Sequence, residues 1–122
     1  MAPVRDAGRP DKPVVVVHCV VPGGVEDAVL AGIEEEGVPR RVERVGDGSA
    51  AELAQAAAAR SPLGVGVGID VYGQVCVHHA KLAEPLPALT SAGPAGEDVA
   101  RALGHNAARI VVGLPLKAVT RQ

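Results

Sequence analysis

The chain contains no phenylalanine and no tryptophan, and Tyr72 is its one tyrosine. A core without large rings must be assembled from Ala, Val, Leu and Ile, which pack closely but bury little area each, since aromatics usually dominate burial. The same scarcity argues against base stacking. With a net charge of −2 and no Lys/Arg-rich face, nucleic acid is not an expected partner. There are only two cysteines, Cys19 and Cys76, outside any C-x-x-C spacing. They read as small buried hydrophobes in a reducing, intracellular compartment. No apolar run approaches the roughly 20 residues of a membrane-spanning helix, so no membrane partner is expected. Residues 1–12 are polar, charged and Pro-containing, without the apolar segment of a secretory signal. They are expected to form a disordered arm, leaving 13–119 as one α/β domain.

What is present alternates. Val14 to Val21 is a nearly unbroken β-branched run, the pattern of a strand covered on both faces. Pro22-Gly23-Gly24 turns into a helix over about 26–36, with Val25, Val29, Leu30 and Ile33 on one face, and Gly37 and Pro39 end it. A short strand over about 40–45 carries the one basic cluster, Arg40, Arg41 and Arg44, which reads as a solvated edge. Ser49 and Glu52 form a capping box that opens an Ala-rich helix ending near Arg60. A strand over 63–70, a turn at Tyr72-Gly73 and a strand over 74–79 predict a hairpin. Leu86 to Leu89, with its prolines, is expected as an edge strand or extended loop, and Thr90 to Gly96 as a flexible loop. A last helix spans 97–112, with Val99, Leu103, Ala107, Ile110 and Val111 inward. The order predicts a mixed, mostly parallel sheet of about five strands with helices on both faces.

Most chemistry-bearing patterns read as architecture. Gly64, Gly66 and Gly68 recur every second residue inside a strand, so they are expected to line one face and admit the Ala-rich helix closely, not to bind a dinucleotide. Pro22-Gly23-Gly24 lacks a lysine, and Glu26 and Asp27 repel an anion. His78 and His79 point to opposite faces of their strand; Cys76 and His78 share one, which is two ligands and not a tetrahedral site. Strand burial raises a thiol pKa, so Cys76 is not a poised nucleophile. No catalytic residue is assigned, and the chain is expected not to be an enzyme by itself.

Glu34-Glu35-Glu36 is different. Three carboxylates end a helix whose C-terminus already carries partial negative charge. Either they are a solvated polar end, or one or two of them meet a cation from outside. Mg²⁺ is commonly held by one or two carboxylates together with phosphate oxygens and water.

Three blocks then resemble one family. They are Val29-Leu30-Ala31-Gly32-Ile33-Glu34-Glu35-Glu36-Gly37-Val38-Pro39, Ser61-Pro62-Leu63-Gly64-Val65-Gly66 running on to Asp70, and Gly104-His105-Asn106-Ala107-Ala108-Arg109-Ile110-Val111-Val112-Gly113-Leu114-Pro115. In that order they resemble the small subunit of diol/glycerol dehydratase reactivases. The chain departs from relatives in its missing aromatics and in His105, where asparagine is more usual.

The resemblance implies a three-layer α/β/α sandwich like the dehydratase medium subunit, an anticodon-binding-domain-like fold. It implies a chaperone-like assembly of two large and two small subunits, the large one an Hsp70-like ATPase, that releases damaged cobalamin from an inactivated adenosylcobalamin-dependent dehydratase. The small subunit is implied to exchange with the dehydratase subunit it mimics, making the dehydratase large subunit a second partner. Glu35 is implied to help ligate Mg²⁺ at the large-subunit ATP/ADP site, with Glu34 and Glu36 as interface candidates. No cofactor is expected in this chain alone. The implied location is the cytoplasm, and association with a bacterial microcompartment is compatible with it. Two rivals are a small-molecule-binding α/β domain, with a pocket at the C-terminal ends of the parallel strands, and a dehydratase medium-subunit-like protein binding cobalamin directly.

Overall fold

The computed structural model describes residues 12–83 and 86–119. The expected N-terminal arm, apart from Lys12, lies outside them. The elements run β1 (Val15–Cys19), α1 (Gly24–Glu35), β2 (Arg40–Arg44), α2 (Ala50–Arg60), β3 (Val65–Ile69), β4 (Gln74–His79), a 3-10 turn at Pro87–Leu89, β5 (Thr90–Pro94) and α3 (Glu97–Val112). The strands form one sheet in the order β2-β1-β3-β4-β5. β1 pairs in parallel with β2 and β3, and β4 and β5 are added antiparallel. α2 packs on one face of the sheet, and α1 and α3 pack against each other on the other. The three-layer α/β/α sandwich with a mixed sheet is therefore observed.

β1 explains the valine run. Val15, Val17 and Cys19 join Val29 and Ile33 of α1 and Leu103 and Ala107 of α3 in the main core, while Val14 and Val16 face Ala57 of α2. All five β1 residues are buried, so neither face accepts a polar alternation. On the α2 side the close approach is set by glycine. A Cβ on Gly66 would overlap the backbone of Ala54, Ala57 and Ala58, and one on Gly68 would overlap Ala50 and Ala54. Gly64 does not belong to this face. Its φ of +71° places it in the turn before β3, which therefore begins at Val65 and not at Leu63. The capping box is present: Glu52 N donates to Ser49 Oγ at 3.1 Å and Ser49 N to Glu52 Oε1 at 3.0 Å.

Two expectations change late in the chain. Residues 90–94 form the edge strand β5, not a flexible loop. Weak β-formers are held there because Ser91 Oγ accepts from Val75 N at 2.9 Å and donates to Gly93 O at 2.6 Å, standing in for ladder bonds at an irregular register. Pro87–Leu89 is a 3-10 turn rather than an extended stretch, and it delivers Leu89 to the core.

The β1–β2–α2 junction holds an unanticipated polar cluster. Parallel register sets His18 beside Glu43, and His18 Nε2 lies 2.9 Å from Glu43 Oε1. Arg60 Nε and Nη2 donate to the two Glu43 oxygens at 2.5 and 2.7 Å. The Arg60 hydrogen bonds, supported by His18, pull the Glu43 carboxyl from its ordinary 4.5 to about 2. A carboxyl depressed in the folded state adds stability above its unfolded pKa, and that stability is lost as pH falls toward the folded value.

Two outcomes follow. Gly68→Ala should lower stability by about 1–3 kcal/mol through overpacking, read as a reduced urea midpoint with an unchanged slope. Wild-type stability should fall between about pH 5 and pH 2, and Glu43→Gln should flatten part of that fall, measured by urea melts at a series of pH values.

Candidate metal-ligand and interface site

The site begins with two glycines inside helices. Where α1 crosses α3, a Cβ on Gly32 would overlap Arg101 O, and one on Gly104 would overlap Val29 O. With no side chain at either position the backbones touch. The residues flanking Gly104 on α3 then lie directly against the C-terminal end of α1. That end closes as a Schellman motif: Gly37, at φ +78°, donates to Glu34 O at 2.9 Å, and Val38 N donates to Ile33 O at 3.4 Å.

The three carboxylates leave this end in different surroundings. Glu34 is 57% exposed and accepts from Arg40 Nη2 at 2.7 Å. Glu35, the last residue of α1, is 37% exposed. Its Oε1 accepts from Arg101 Nε at 2.8 Å and lies 2.8 Å from His105 Nε2, while Arg101 Nη2 reaches Oε2. Glu36 is only 12% exposed and turns toward α3, with His105 Nδ1 at 2.6 Å and Arg109 Nε at 3.0 Å from Oε2. The His105 and Arg109 hydrogen bonds hold the Glu36 carboxyl below its usual range.

The triplet therefore has a structural explanation that the helix alone did not offer. Arg101, His105 and Arg109 sit at the negative end of α1 and supply the positive and hydrogen-bonding groups that its last turn lacks. The helix-dipole argument found three like charges with no compensation; Glu34 meets Arg40 six residues on, and the partners of Glu35 and Glu36 are 66 to 73 residues away in sequence. The signals that could have found them are the mid-helix glycines, Gly32 and Gly104, which destabilise a helix unless something packs on them. Arg40 and Arg44, expected on a solvated edge, both meet α1: Arg40 Nη2 donates to Glu34 Oε1 and Arg44 Nη1 to Glu26 Oε2 at 2.6 Å.

Glu35 opens on a groove of about 440 Å³ lined by Glu35, Asp98, Arg101, Ala102, His105 and Lys117. Among the described residues no group of three or more His, Cys, Asp or Glu side chains is placed to hold a metal ion. What this end offers a hard cation is a solvent-reachable carboxylate such as Glu35, which fits a shell completed by phosphate and water oxygens. Glu34 is equally reachable, whereas Glu36 is committed to α3.

The other sequence candidates stay apart. Cys76 lies on the α2 face with Ala50 and Ala54, and burial pushes its thiol up; burial likewise raises Cys19 to about 11. Neither thiol is poised to attack. His79 lines an apolar cavity of about 380 Å³ with Leu82, Leu89, Ile110 and Leu114. His79 pairs with Val65 at the start of β3. That cavity thus sits at the N-terminal ends of the parallel strands, opposite to where a small-molecule domain would bind its ligand. Among the described residues no helix is long and apolar enough to cross a membrane.

Comparison with known proteins shows the family and the fold. Residues 12–117 match the family described as dehydratase medium subunit. The chain is 37% identical over 94 residues to the diol dehydratase-reactivating factor small subunit of Klebsiella michiganensis, covering 77% of this chain and 74% of that protein. It superposes on a solved glycerol dehydratase reactivase chain with a TM-score of 0.78 and 35% identity, over 87% of this chain and 97% of the other. A structure of diol dehydratase-reactivating factor complexed with ADP and Mg²⁺ matches with a TM-score of 0.76 and 33% identity, over 88% and 99% of the two chains. The chain therefore belongs to the dehydratase medium subunit family, in the company of the small subunits of dehydratase-reactivating factors.

Proposed function

We propose that this chain is the small subunit of an ATP-dependent reactivating factor, and that Glu35 lends its carboxylate to a Mg²⁺ ion at the nucleotide site of a large ATPase subunit. The observation that carries the reading is the state of Glu35: a reachable carboxylate at the end of α1, in a chain similar to one solved with ADP and Mg²⁺. Bound there, the metal supplies positive charge that Glu35 shares with nucleotide phosphates. The chain's own residues do the rest. The Gly32–Gly104 crossing fixes the end of α1, His105 holds one Glu35 oxygen, and Glu36 with Arg109 anchors His105 from the other side.

In this reading the assembly holds two large and two small subunits in the cytoplasm and acts on an inactivated adenosylcobalamin-dependent diol or glycerol dehydratase. The nucleotide state of the large subunit sets how tightly this domain is held. Release lets it exchange with the dehydratase's own subunit, so that damaged cobalamin leaves. Such a switch needs different affinities in the two states. The family described as dehydratase medium subunit supports the mimicry that exchange requires. It equally favours a second reading, in which the chain is medium-subunit-like and binds cobalamin itself. Absorbance of cobalamin titrated with the isolated chain separates the two.

Glu35→Gln should weaken association with the large subunit about ten- to a hundred-fold in Mg²⁺ and ADP, the range of a lost charge-assisted contact. The circular dichroism of the isolated chain should not change. Unaltered affinity, measured by calorimetric titration, would remove Glu35 from the bridge.

A further inference from the structure

Both oxygens of Glu35 are already taken in this chain. Arg101 grips them as a fork, Nε on Oε1 at 2.8 Å and Nη2 on Oε2, and His105 shares Oε1. A cation entering from the groove must compete with one of these groups. They are not equally removable. The His105 side chain is 12% exposed and its two nitrogens are fixed between Glu35 and Glu36. The Arg101 side chain is 54% exposed, and among the described residues it alone holds Oε2.

We propose that Arg101 is a displaceable counter-ion, a latch that occupies the Glu35 carboxylate until a divalent cation takes its place, while His105 remains as the hydrogen bond that orients it. The proposal rests on the reading of Glu35 as a magnesium ligand. A carboxylate that ligates through one oxygen and is held through the other is the usual outer-shell arrangement at metal sites. Arg101 also has somewhere to go. It lines the Glu35 groove and a neighbouring groove of about 270 Å³ formed with Asp27, Glu97 and Asp98. Asp98 precedes it by three residues on α3, a spacing that places the two side chains side by side. The guanidinium can therefore leave Glu35 without entering water uncompensated. The exchange is between two cations for one carboxylate, and it makes the magnesium concentration at which the small subunit engages depend on Arg101.

The test is association of the full chain with the large subunit in ADP, titrated with MgCl₂, for wild type, Arg101→Ala, Arg101→Lys, Glu35→Gln and the Glu35→Gln/Arg101→Ala double variant. Removing the latch should lower the half-maximal magnesium concentration about two- to six-fold, the range of an exposed ion pair. Arg101→Lys, which keeps the charge but not the fork, should fall between it and wild type. In the Glu35→Gln background, Arg101→Ala should change nothing. If Glu35→Gln abolishes the magnesium response while Arg101→Ala and Arg101→Lys leave the half-point unmoved or raise it, the latch is refuted and the Glu35 reading stands. If Glu35→Gln keeps the full response, that reading fails and the latch with it.

Discussion

Gly32 and Gly104 meet where α1 crosses α3, and a single methyl group at either position would occupy backbone of the opposite helix. This contact sets the spacing of one whole layer. It brings Val29 and Ile33 against Leu103 and Ala107 in the core. It also brings Arg101, His105 and Arg109 against Glu35 and Glu36 at the surface. Packing and charge pairing are therefore one arrangement. Helices held further apart by side chains would still cover the sheet, but the α3 donors would no longer reach the end of α1.

That end of α1 grades its three carboxylates from open to committed. Glu34 pairs with an arginine of the neighbouring strand and stays mostly in solvent. Glu36 is enclosed by an imidazole and a guanidinium. Glu35 lies between: held in place, yet reachable from a groove. The proposed role of meeting a partner's cation needs both properties, since an unheld carboxylate loses rotamer freedom on binding and an enclosed one cannot be reached. His105 links the pair through its two ring nitrogens, Nε2 toward Glu35 and Nδ1 toward Glu36.

The opposite face of the sheet relies on the same device with different residues. Gly66 and Gly68 let the alanines of α2 rest on β3. The layers are filled by alanine, valine, leucine and isoleucine, as a chain without phenylalanine or tryptophan requires. Polar groups close the gaps that small side chains leave. Ser91 completes the β4–β5 edge, and Glu43 ties His18 of β1 and Arg60 of α2 to β2.

Much of this was legible in the residues. The valine run, the capping box, the alternating glycines and the Gly-x-Pro stop each express a local rule, and β1, α2, β3, β4 and α3 lie close to where those rules place them. A mixed α/β sheet with helices on both faces followed from their order, and the three-layer α/β/α sandwich from the family resemblance. Three things came only from the tertiary structure. β5 exists because Ser91 meets Val75 across the sheet, not because Thr90–Pro94 favours a strand. Gly64 leaves the glycine face because the turn before β3 needs a positive φ. Glu35 and Glu36 are compensated because α3, some 70 residues later in sequence, crosses α1 at a notch. Periodicity and capping act over one or two turns of chain, so sequence alone determined the elements. Charge pairing acts through space, so only the fold could decide which cation each carboxylate would meet.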